Sequence, residues 1–82
     1  MLEISEQATD VLERAHEAAS RFDPDARVRI YRRGDAVETG FAHEPVPGDR
    51  VVEHAGLTLF VEEGIDGVLD ISAEHDRLLV RP

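Results

Sequence analysis

The hydrophobic period changes at Pro24, and that change limits the fold of this 82-residue chain more than any other feature. Before it, Ala8, Val11, Leu12, Ala15, Ala19 and Phe22 recur at helical spacing and lay one apolar stripe along a helix. Asp10, Glu13, Arg14, Glu17 and Ser20 fall outside that stripe. Ser5 has the short hydroxyl side chain that caps a first turn, and Glu6 puts negative charge where the helix dipole favours it. Pro24 disfavours helical geometry at Asp23, so the helix is expected to stop near Arg21.

Beyond Pro24 the side chains alternate. Val28 and Ile30 share one face of a strand, with Arg27, Arg29, Tyr31 and Arg33 on the other. The run from Val37 to Glu44 alternates as well. A two-residue Gly34-Asp35 loop sets Phe41 opposite Val28, whereas a loop one residue longer sets it beside the arginines. The hydrophobic match selects the shorter loop, and Gly at its first position suits a type II′ turn. Pro45 to Asp49 breaks the pattern. Arg50–Glu53 and Leu57–Glu62 then read as a hairpin about His54-Ala55-Gly56. After a turn from Gly64 to Gly67, Val68–Ser72 and Arg77–Arg81 form a last pair about Ala73-Glu74-His75-Asp76. Phe60 faces away from Leu57, Leu59 and Val61, and apolar groups on both faces mark a central strand or one beneath the helix. The expectation is a single α+β domain over residues 1–82. Its N-terminal amphipathic helix packs on a small, mostly antiparallel β sandwich or partly closed barrel of about six strands.

Charge and composition remove several functions. The formal charge is −9, from 18 acidic and 9 basic residues, and every basic residue is Arg. A field of that sign opposes nucleic acid and anionic membrane, whose phosphates need clustered cations. The chain has no cysteine, which removes disulfides, thiolate metal sites and Cys nucleophiles together. A domain this small without disulfide staples is expected in the cytoplasm. No stretch reaches the roughly 20 apolar residues of a membrane helix, and residues 1–20 lack a signal-peptide apolar core.

Three groups of side chains are candidates for chemistry. His16, His43, His54 and His75, with carboxylates such as Glu38, are of the type that holds zinc or iron. However, no histidine pair has ligand spacing, and strand parity turns His43 away from Glu38 and Glu44. Arg27, Arg29 and Arg33 with Tyr31 form a basic face that could dock an acidic partner. The competing reading is cross-strand pairing with Glu38 and Glu44. Catalysis has no support. Ser5, Ser20 and Ser72 lack a nucleophile-elbow setting, Glu62 and Glu63 point apart on a strand, and the glycines form no phosphate loop. Arg33-Gly34-Asp35 reads as the hairpin turn. The chain is expected to be neither an enzyme nor a cofactor carrier.

Several segments, in order, resemble the A-type iron–sulfur carrier family (HesB/IscA-like). Leu2-Glu3-Ile4-Ser5-Glu6-Gln7-Ala8 is similar to its opening strand and capped helix, and Val28-Arg29-Ile30-Tyr31 to the strand before its first cysteine. Pro47-Gly48-Asp49-Arg50-Val51-Val52-Glu53-His54-Ala55-Gly56-Leu57-Thr58-Leu59-Phe60-Val61 resembles its acidic turn, strand, Gly turn and apolar strand. Val68-Leu69-Asp70-Ile71 is similar to the strand that follows. The resemblance implies a HesB-like domain and places Glu38 where the first cluster-ligating cysteine stands. The family's C-terminal Cys-Gly-Cys has no counterpart before Pro82, so the resemblance describes a cysteine-less, shortened member. The implied role is an accessory protein of iron–sulfur cluster biogenesis acting through protein contacts. The alternative is a small metal- or ligand-binding module using His and Glu side chains. Exposed sheet edges would also permit a homodimer.

Overall fold

The computed structural model describes residues 2–72 and 77–82. In chain order the elements are β1 (Leu2–Ile4), α1 (Glu6–Ser20), β2 (Arg27–Arg33), β3 (Ala36–Ala42), β4 (Arg50–His54), β5 (Leu57–Val61), β6 (Gly67–Ile71) and β7 (Leu78–Arg81). The strands form two sheets, one ordered β1-β6-β7 and the other β3-β2-β5-β4. The expected turn Ala73-Glu74-His75-Asp76, and with it His75, lies outside the described residues.

Ser5 is the hinge between β1 and α1. Its N–H donates to the Leu69 carbonyl at 2.9 Å, continuing the ladder to β6. Its hydroxyl donates to Asp70 Oδ1 at 2.8 Å and accepts from the Ala8 N–H at 3.1 Å, so one side chain both caps the helix and ties it to the sheet. The helix ends at a cap on Arg21, where the proline signal put it. Its buried residues, Ala8 and Leu12, join Val28, Ile30, Leu57, Leu59, Val61, Ile65 and Leu69 in one core shared by both sheets. Each fully buried Leu, Ile or Val there contributes about 1.5–3 kcal/mol.

The β2–β3 hairpin has the shorter loop. Arg33 pairs with Ala36 and Val28 with Phe41, and Gly34 takes the positive φ of 61° that a II′ turn requires at its first position. The pairing of β4 with β5 is antiparallel, with His54 opposite Leu57. His54 is therefore the last strand residue and not part of the turn. The last pair, β6 with β7, is antiparallel too. Close approach there requires Gly67, because a β-carbon at that position would collide with the Arg81 carbonyl oxygen.

Two expectations need correction. The strands do not close into a barrel: no ladder joins the two sheets among the described residues. The pairing is mostly antiparallel, as expected, in β2–β3, β4–β5 and β6–β7, while β1–β6 and β2–β5 are parallel. Hairpin spacing carries no information about which hairpins meet, and here the two central strands of the larger sheet come from different hairpins. Phe22 also leaves the apolar stripe. It lies past the Arg21 cap, where the chain has already turned towards Pro24, and is 92% exposed.

In the β4–β5 turn, Ala55 has φ 51° and Gly56 φ 78°, both left-handed, as a type I′ turn demands. Alanine adopts that region at a cost that asparagine reduces. Ala55→Asn should therefore raise stability by about 0.5–1 kcal/mol. A thermal melt shows this as a higher Tm; an unchanged or lowered Tm contradicts the turn geometry.

Candidate functional site

The larger sheet has one face towards the core and one face away from it. On the outer face, the registers put Gly40, Arg29, Phe60 and Val51 in one row across β3, β2, β5 and β4. Beside them Tyr31 stands opposite Glu38. Arg27, Arg29 and Arg33 thus share a face with Tyr31, as their alternation implied, but most of them are engaged within the fold. Tyr31 donates to Glu38 Oε2 at 3.3 Å, its ring lies over Gly40, and Arg33 Nη1 sits 3.6 Å from the same carboxylate oxygen. The Arg29 guanidinium rests 5.5 Å from the Tyr31 ring centroid. Arg27 donates to the carbonyls of Pro24 and Ala26.

Arg29 makes the strongest of these contacts. Its Nε and Nη2 donate to the two carboxylate oxygens of Asp49 at 2.8 and 3.0 Å, and Glu62 lies 3.5 Å from Nη2. The Arg29 side chain is 17% exposed and that of Asp49 only 2%. Asp49 also accepts from the Val46 N–H at 2.9 Å, which closes the turn from Val46 to Asp49. This pair has a topological role. β3 and β4 occupy opposite edges of the sheet, so residues 43–49 must travel past β2 and β5, about 14 Å at the usual strand spacing. The helix and the second sheet take the core side, and Asp49 meets Arg29 on the outer side. The connection therefore crosses the outer face, where Phe60 is buried away from the core cluster. Spacing alone did not reveal this crossing; the one signal for it was Phe60, an apolar residue on the face away from its neighbours.

The histidines do not converge. His16 is on α1, and His43, just past β3, pairs with Asp23 Oδ2. That contact is the leading cause that holds the Asp23 carboxyl below its ordinary range, and the Asp25 N–H adds to it. His54, at the end of β4, lies 2.7 Å from the Thr9 hydroxyl through Nε2. Thr9 gives its one proton to the Ser5 carbonyl, so His54 donates from Nε2 to the hydroxyl oxygen. Glu38 lies with Tyr31 and Arg33, apart from all three. Among the described residues, no three His, Asp or Glu side chains are grouped to hold a metal. One open depression of about 410 Å³ lies beside Glu38, lined by Val11, Val37, Thr39, Arg77 and Leu78 among others. No described helix is long and apolar enough to cross a membrane.

Compared with known proteins, the chain matches no family model and no curated protein.

The Arg29 hydrogen bonds hold the Asp49 carboxyl below its ordinary value of 3.8. Because the folded value lies below the unfolded one, the stabilisation is complete above the unfolded value and is lost as pH falls through the folded one. Asp49→Asn should cost about 2 kcal/mol near neutral pH. In urea melts the gap between variant and parent should shrink well below pH 3.8. A gap that stays constant into acid contradicts this role for the pair.

Proposed function

We propose that this chain is a HesB/IscA-like domain without cluster ligands, serving iron–sulfur biogenesis as an accessory protein through protein contacts. The observation that carries the contact role is the exposure of large apolar side chains: Phe22, Phe41, Val46 and Val51 all face solvent. In a chain with only three phenylalanines, two exposed ones are better suited to meeting another surface than to building a core. The iron–sulfur context rests on the sequence resemblance, with Glu38 at the first cysteine position. The absence of any thiolate from the chain argues for contact over cluster transfer.

The arginine face is a weaker docking site than its sequence suggests. Arg29 is sequestered by Asp49 and Arg33 is paired with Glu38, so an acidic partner would compete with internal carboxylates. A second reading, a small ligand-binding module using Glu38, draws on the depression beside that residue. Zinc or iron titration separates the two: micromolar binding that disappears in His43→Ala or Glu38→Ala would favour the module.

Anaerobic incubation with iron and sulfide should leave the purified chain without a visible chromophore, and affinity capture from its native host should recover cluster-assembly proteins. A stable protein-bound chromophore, or capture that repeatedly lacks such proteins, contradicts the proposal.

A further inference from the structure

β4 is an edge strand whose second side pairs with no strand among the described residues. It is short and carries charged Arg50 and Glu53, but its sequence Arg50-Val51-Val52-Glu53-His54 has no Pro or Lys, and its ladder to β5 is unbroken by a bulge. Its outward side chains are Val51, 56% exposed, and Glu53. Every basic side chain on or beside the strand is already engaged. Arg50 binds Asp66 and the Ile65 carbonyl, His54 binds Thr9, and Arg29 is shared by Asp49 and Glu62. Glu53 accepts from the Thr58 hydroxyl at 3.1 Å and pairs with no cation among the described residues. The edge therefore presents open backbone, one aliphatic side chain and one uncompensated negative charge.

We propose that β4 receives an extended basic segment of another protein as an added strand. The segment sets Arg or Lys against Glu53 and, two residues along, a β-branched aliphatic side chain against Val51. Backbone hydrogen bonds supply affinity and the two outward side chains supply selection. This inference rests on the contact-protein reading and names the chemistry of its partner. A second copy of the chain fits poorly. Directly opposed residues of a ladder share a face, so a two-fold β4–β4 pairing must centre on Val51, Val52 or Glu53. Those registers put Glu53 opposite Asp49, Val51 or Glu53 of the second copy. None offers it a cation, and each copy brings a charge of −9.

The test uses the full chain, ¹⁵N-labelled, with short synthetic peptides of alternating Lys and Val or alternating Glu and Val. The Lys/Val peptide should shift amides of β4 and its neighbour β5. Glu53→Lys should weaken that peptide by about tenfold and admit the Glu/Val one. Glu3→Lys, an equal change of charge at an exposed position of β1, should leave the binding of both peptides unchanged. Val51→Lys, also at an exposed position, is a second variant should Glu53→Lys fold poorly, and it should likewise weaken the Lys/Val peptide. Equal loss from Glu3→Lys and Glu53→Lys, shifts away from β4, or a concentration-dependent dimer with its shifts at β4 would overturn the proposal. No iron or sulfide is present in this experiment. A chromophore on reconstitution would therefore count against the functional reading alone, and a silent β4 against this surface alone.

Discussion

The bidentate contact between Arg29 and Asp49 closes the one long-distance step in the larger sheet. β2 and β5 lie side by side in parallel, although each belongs to its own hairpin. Parallel neighbours need a crossover connection, and because β3 and β4 flank this pair, the crossover runs from one edge of the sheet to the other. Here that connection is residues 43–49, too short to form a helix of its own, and its far end is fixed by a carboxylate buried against a central-strand arginine. Burying such a pair has a desolvation cost, which the two N–H···O bonds and the Val46 N–H offset. The pair holds the end of the connection against the outer face that it crosses.

Much of this fold could be read from local chemistry. Ser5, Leu12 and Pro24 marked the helix, its buried side and its end, and the Val28–Phe41 match chose the two-residue hairpin loop. These features depend on neighbours in sequence, where period and turn residues carry the information. The parallel ladders and the crossing connection depend on which hairpins meet, and the alternation of β2 and β5 does not encode that beyond the one apolar residue, Phe60, on the outer face. Phe22 illustrates the same limit: its spacing continued the stripe, but the chain direction had already changed.

The candidate site divides in the same way. Alternation placed Arg27, Arg29, Tyr31 and Arg33 on one face, yet it could not show that Asp49, twenty residues from Arg29, would neutralise the central member. Once that charge is satisfied internally, the arginine stripe reads as scaffold, and the proposals of a contact role rest instead on the exposed phenylalanines and the open edge of β4. His43 and His54, which sequence alone grouped as candidate ligands, instead hold the helix side of the domain to the strand ends through Asp23 and Thr9.

The central claim is that Arg29 and Asp49 act as one structural unit. A double-mutant cycle tests it directly, with Arg29→Met, Asp49→Asn and the double variant unfolded in urea near neutral pH. The account predicts a coupling energy of about 2 kcal/mol, with the double variant more stable than the sum of single losses implies. Additive losses, with no coupling between the two positions, would contradict it.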